Sequence, residues 1–164
     1  LPHLKALAKE LGVADRVLFL GPVPYRRIGA YYRLPELFLF ASETETQGLV
    51  IWEAQAMGVP VVAVGAEGVL EGVEDGKTGF LVPPGDFRAL AEKALELLKD
   101  EERRRRFSLQ ARAFALKRSA ETIAEQIVAV YDEASEILRV EPRRLIFPFP
   151  RLPRSSLEDR PGGF

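Results

Sequence analysis

Short continuous apolar runs alternate with amphipathic stretches along most of this chain. Leu37-Phe38-Leu39-Phe40-Ala41 and Pro60-Val61-Val62-Ala63-Val64 are apolar throughout and bounded by polar residues, the pattern of strands buried on both faces of a parallel sheet. Between them Leu49, Val50, Trp52, Ala56 and Met57 recur at helical spacing and Gly58 supplies a turn, so the segment reads strand, polar loop, helix, turn, strand. The same reading places helix 3–11, strand 16–20, a short helix 25–33, strand 36–41, helix 48–58, strand 60–64, a helical turn near 69–74 and strand 79–82. Helices 86–99, 101–116 and 119–138 follow. Asp86 is placed to cap the first of these, whose Leu90, Ala94, Leu97 and Leu98 form an apolar stripe. Strands alternating with helices predict an α/β fold, a parallel sheet layered between helices. Residues 139–164, rich in arginine and proline and without periodicity, read as an extended or disordered tail, which leaves 1–138 as the folded unit.

Composition narrows the class without naming a function. At 164 residues and 47% hydrophobic, the chain is long enough to bury one core. A net charge of −1 gives no general attraction to nucleic acid, so none is expected as a partner. The absence of cysteine excludes a disulfide framework and any thiolate metal site, which fits a cytoplasmic protein. No apolar run approaches the roughly 18 residues of a membrane span and no signal peptide is seen, so any membrane contact is expected to be peripheral. Gly65, Gly68 and Gly72 are too loosely scattered for a dinucleotide fingerprint, and no GxxxxGK[ST] occurs.

Candidate chemistry gathers at the loop Glu45-Thr46-Gln47-Gly48, which follows the strand 36–41. Ligands of open α/β sheets bind outside the carboxyl ends of strands, where this loop lies. A helix beginning at Gly48 or Leu49 turns unpartnered N–H groups and the positive end of its dipole towards the loop, which suits a phosphate. Gly48 has no side chain to keep an anion from the backbone. Glu53 stands about five residues into the helix, roughly 7 Å from its start, the reach from a diphosphate back to a ribose. Its carboxylate can accept bonds from two neighbouring hydroxyls. Glu45 lies on the other side, where a sugar attached to the diphosphate would sit. Glu125, Glu133 and Glu141 repeat the same eight-residue separation on or beyond a polar-faced helix, so spacing alone carries nothing. On these features a surface reading of the pair stands level with a nucleotide site. A glycosidase pair is a third reading, against which stand the small sheet and the ribose role of Glu53. Trp52 is expected in the core, and the arginine run 103–106 as a solvated helix face.

The residues also carry a resemblance. Glu45-Thr46-Gln47-Gly48-Leu49-Val50-Ile51-Trp52-Glu53-Ala54 resembles the E-x7-E motif of retaining glycosyltransferases of the family-four type, two-domain enzymes of GT-B fold. Arg16-Val17-Leu18-Phe19-Leu20-Gly21 is similar to their strand and glycine before the base-binding loop, and Tyr32 with the strand 36–41 to the lead into the motif. Gly58-Val59-Pro60-Val61-Val62-Ala63 and the stretch Asp75 to Asp86, DGKTGFLVPPGD, match the strands and loop downstream. The likeness covers roughly residues 10–135.

The resemblance implies a Rossmann-like, donor-binding C-terminal half of a GT-B glycosyltransferase, incomplete at its N-terminus. It implies that Glu53 holds the donor's ribose, that Glu45 holds the hydroxyls of the transferred sugar and is the catalytic residue of this half, and that Gly48 and Leu49 offer amides to the diphosphate. The backbone near Val23 would meet the base. The donor is a nucleotide sugar acting as substrate, with no cofactor and no metal expected. Many members have an aromatic residue where Gln47 stands, and the string TETQG is more like the branch making bacterial glycolipids, the diacylglycerol glucosyltransferases. That implies UDP-glucose as donor, a membrane glycerolipid as acceptor and peripheral placement at the inner membrane face.

The chain starts at Leu1 within a helical pattern and without an initiator methionine, so it reads as a fragment whose preceding acceptor domain is a missing partner. The only histidine, His3, lies far in sequence from the motif and reads as surface. A fragment without turnover is expected, and an apolar face left by the missing domain could pair two fragments as a dimer. A non-catalytic nucleotide-binding module of the same fold, or a sugar-nucleotide epimerase, stands as the alternative.

Overall fold

The structure, a computed structural model, describes residues 1–138. The tail expected over 139–164 lies outside the described residues. Three parallel strands, β1 (Phe38–Phe40), β2 (Val61–Val64) and β3 (Gly79–Val82), form one sheet in the order β1-β2-β3. Phe38 pairs with Val61 and Val61 in turn with Gly79. All four residues of β2 are buried, which is why its run is apolar without alternation. Because successive side chains point to opposite faces, Val61 and Ala63 join a core cluster with Ile51, Ala54 and Val69, while Val62 and Val64 join another with Phe80, Leu90, Leu97 and Phe107.

The helices α1 (Pro2–Glu10) and α2 (Tyr25–Tyr32) precede the sheet, and α3 (Leu49–Ala56) and the single turn α4 (Glu67–Leu70) supply the first cluster. The second cluster draws on α5 (Phe87–Lys99) and α6 (Glu101–Leu116), and α7 (Ala120–Leu138) follows. Asp86 caps α5 by accepting from Ala89 N at 2.9 Å, as its position predicts, and Asp100 does the same for α6 through Arg103 N.

One expected strand is not formed. Residues 14–16 make a short 3-10 turn, and although Val17 is extended, no described residue pairs with 17–20, where Leu18 is 81% exposed. An apolar run becomes a strand only when a neighbour takes its backbone groups. The segment expected at 36–41 contracts to three residues, and the helical turn expected near 69–74 begins earlier, at Glu67.

The arginine run is a solvated face only in part: Arg105 and Arg106 are exposed, whereas Arg103 and Arg104 are half-buried. Arg103 pairs with Glu96 and lies over the rings of Phe80 and Phe107 at 4.8 and 5.3 Å. Arg104 donates to the carbonyls of Leu97 and Leu98, both at 3.0 Å, and pairs with Glu36 at 3.2 Å. Arg105 pairs with Glu101. The Arg104 guanidinium satisfies carbonyls at the end of α5 that have no partner within the helix, and with the Arg103–Glu96 pair it staples α6 to α5. Among the described residues no helix is long and apolar enough to cross a membrane.

Candidate functional site

The loop between β1 and α3 is held from both sides. The amide of Gly68 donates to the carbonyl of Glu45 at 3.2 Å, and the amide of Gly85, after β3, donates to the carboxylate of Glu43 at 2.8 Å. The approach of α4 is so close that a Cβ at Gly68 would lie 2.4 Å from both the carbonyl oxygen of Glu45 and the carbonyl carbon of Thr46. Gly48 ends the loop with φ of 59°, the left-handed region, and serves as N-cap of α3 with no side chain to bond its amides. Among the described residues the N–H groups of Leu49 and Val50 make no hydrogen bond, so two donors at the positive end of α3 remain open.

Glu45 supplies what the cap residue cannot. Its Oε1 accepts from the amides of Thr46, Gln47 and Gly48 at 3.0, 3.3 and 3.1 Å. These bonds, that of Gly48 first and then that of Gln47, hold its carboxyl below the usual carboxylate range. The Gly48 amide expected for a phosphate is therefore engaged within the loop in the free chain.

Glu53 projects on the other side of α3. Its Oε2 accepts from the phenol of Tyr32 at 3.0 Å, and Tyr32 packs edge-on against Phe38 at 5.8 Å. Burial first, and then the bond to and charge of Glu53, push the phenol well above its ordinary range, so it remains a donor. Val23 is half-buried two residues before α2, the helix whose last residue is Tyr32, so one helix links the expected base contact to the expected ribose contact.

A cavity of about 820 Å³ opens beside the loop, with Glu45, Gln47, Leu49, Trp52, Glu71 and Arg118 in its wall. Glu53 is not part of that wall, so the cavity adjoins only the Glu45 side of the site. Trp52 is half-buried rather than core: its ring stacks on Phe114 at 5.2 Å, and Arg118, which pairs with Glu71 at 3.7 Å, lies 5.2 Å over it. His3 is exposed on α1. Among the described residues no group of three or more His, Asp or Glu could hold a metal ion.

The structure thus sets Glu45 and Gly48 in one loop, with Leu49 opening the helix that follows and Glu53 within it. Sequence reasoning missed Tyr32 as a partner of Glu53. The two lie 21 positions apart, and only the packing of α2 on α3 joins them. It missed Glu43 and Gly68 as supports of the loop for the same reason.

Comparison with known proteins bears on the family and the fold. The profile of the family described as Glycosyl transferases group 1 matches residues 2–114. The chain is 41% identical over 128 residues to a D-inositol 3-phosphate glycosyltransferase of Nocardia farcinica, covering 78% of this chain and 28% of that protein. It is 37% identical over 126 residues to an N-acetyl-alpha-D-glucosaminyl L-malate synthase of Bacillus anthracis, covering 76% of this chain and 32% of the relative. It therefore spans about a third of the length of such relatives. Among solved structures, Anabaena HepE in complex with UDP superposes with a TM-score of 0.74 at 33% identity, over 80% of this chain and 36% of HepE. HepE has also been solved with UDP-glucose. With the profile matched over most of its described length and a parallel sheet of the GT-B type, the chain belongs to the group 1 glycosyltransferase family.

Proposed function

We propose that this chain is the donor-binding part of a retaining glycosyltransferase that transfers a hexose, glucose, from UDP-glucose. The observation that carries the reading is the β1–α3 loop, where open amides at Leu49 and Val50 stand between two carboxylates, Glu45 and Glu53, each already fixed by hydrogen bonds. The complexes of HepE with UDP and UDP-glucose support the choice of donor. In this reading the diphosphate lies at the start of α3 and the ribose hydroxyls bond to Glu53. Tyr32 occupies one carboxylate oxygen and fixes the rotamer, leaving Oε1 directed by that bond. The base meets the backbone near Val23. Glu45 bonds the hydroxyls of the transferred sugar. As the glycosidic bond breaks, charge grows on the diphosphate, and amides already oriented at a helix start favour that state over the ground state.

For the acceptor we infer a membrane glycerolipid, on the likeness of TETQG to the glycolipid-making branch, presented by a preceding domain at the inner face of the membrane. The names of the relatives instead carry inositol 3-phosphate and malate, so acceptor assays with all three classes belong in the test.

The direct test is an NMR titration of the labelled chain with UDP, GDP and ADP to millimolar levels, following the amides of Val23, Gly48, Leu49 and Glu53. Saturable shifts with UDP, lost in Glu53→Ala, are expected. Preference for another base would overturn the donor, and absence of shifts with all three would overturn the site.

A further inference from the structure

The Glu45 carboxylate, at the wall of the open cavity, is turned through Oε1 onto the amides of its own loop. Oε1 accepts three backbone bonds at once, from Thr46, Gln47 and Gly48, so a single oxygen carrying negative charge is seated at the N-terminal end of α3. A phosphoryl oxygen has the same charge and the same acceptor chemistry. The loop cannot drift away from the carboxylate, because Gly68 N holds the Glu45 carbonyl and Gly85 N holds the Glu43 carboxylate. With the loop tied at these two points, a rotation of the Glu45 side chain is enough to free the amides. A Cβ built on Gly48 would meet Glu45 Cγ at 3.8 Å, which puts the side chain against the cap residue itself.

We propose that Glu45 is an internal stand-in for the donor's phosphate: it fills the loop amides in the free chain, and an arriving diphosphate exchanges with it, releasing the carboxylate to the sugar. This rests on the donor site proposed above. Two consequences follow that a permanently sugar-facing Glu45 would not produce. The carboxylate competes with a nucleoside diphosphate, so it weakens binding of the nucleotide alone. The competitor is also not wasted, since once displaced it stands beside the cavity into which a sugar on the diphosphate would extend. A nucleotide without a sugar expels Glu45 and gives it nothing to hold, whereas a nucleotide sugar does both. Selectivity for the complete donor is thereby built into one side chain.

The experiment measures UDP and UDP-glucose affinities of the whole chain and of Glu45→Ala, Glu45→Gln and Glu53→Ala, with carboxyl-carbon NMR of Glu45 in the parent. Removing a hydrogen-bonded competitor is expected to tighten UDP roughly three- to tenfold in Glu45→Ala, with a smaller gain in Glu45→Gln, which keeps an uncharged acceptor. The ratio of UDP-glucose to UDP affinity is expected to fall in both. In the parent, the Glu45 carboxyl titrates low when free and returns towards the ordinary carboxylate range when UDP is bound. Equal or weaker UDP binding by both Glu45 variants, with Glu53→Ala still impaired, overturns the exchange and leaves the nucleotide site standing. No UDP binding by the parent overturns the site and the exchange with it. Should Glu45→Ala misfold, Glu45→Gln and the carboxyl titration of the parent decide the matter.

Discussion

The phenol of Tyr32 donates to Oε2 of Glu53 at 3.0 Å, joining the end of α2 to the middle of α3. A hydrogen bond to a carboxylate fixes which way the acid points, and it does so from outside the loop. Tyr32→Phe is expected to cost about 1 kcal/mol of stability at neutral pH. The phenol's pKa is raised on folding, so its contribution is full below about pH 10, its unperturbed value, and is lost as pH rises beyond that. Urea unfolding of parent and variant at neutral pH and above pH 10 would show the gap narrowing; a gap that is constant would mean the phenol is not the source.

Glu45 behaves in the opposite sense. Its pKa is lowered on folding, so the bonds to the loop amides stabilise the chain above the ordinary carboxylate value of 4.5 and are lost as pH falls through the lower folded value. Melting temperatures of the parent and Glu45→Gln, compared between pH 7 and pH 3, are expected to converge in acid. Parallel curves would count against the charge-assisted cap.

Two glycines separate a local disturbance from a global one. Gly68→Ala drives a methyl into the backbone of Glu45 and Thr46, and overpacking of this kind costs about 1–3 kcal/mol. The variant is expected to fold with amide shifts concentrated at 45–48. Gly79→Ala is worse, because its Cβ would stand 1.9 Å from the Val61 carbonyl oxygen within the sheet. Loss of the β2–β3 pairing and of cooperative melting is expected, read by circular dichroism.

Phe107 tests the second core cluster. It is 1% exposed and meets Phe80 edge-on at 5.4 Å, so Phe107→Ala is expected to cost about 3–5 kcal/mol in urea unfolding. A much smaller loss would mean that α6 is not anchored through this ring.

The parts of the fold legible in the sequence are those where one residue pattern has one physical outcome. Val61 to Val64 could only be a strand covered on both faces, and Asp86 before an apolar stripe could only be a cap. The positions of Gly48 at the start of α3 and of Glu53 within it were legible because glycine and helical periodicity constrain them locally. The strand expected over 16–20 is not formed, because strand character belongs to a pair and not to a segment. The half-buried Trp52, the stapling arginines and the Tyr32 bond depend on which helices meet, and no local pattern encodes that. The self-capping of Glu45 is a different case. Its three amides are sequence neighbours, yet a reading that assigns the amide of Gly48 to a ligand overlooks the acid three residues away that reaches it first.

Trp52 is the one tryptophan of the chain, and it stands in the cavity wall with Phe114 stacked on it and Arg118 over its ring. Its emission therefore comes from a single place, one helical turn from Gly48. Any event that lifts Arg118 from the ring or fills the space beside Glu45 changes the polarity around that indole. The unmodified protein carries its own optical probe, able to time arrivals at the site on the millisecond scale of a stopped-flow instrument without a label or a substitution.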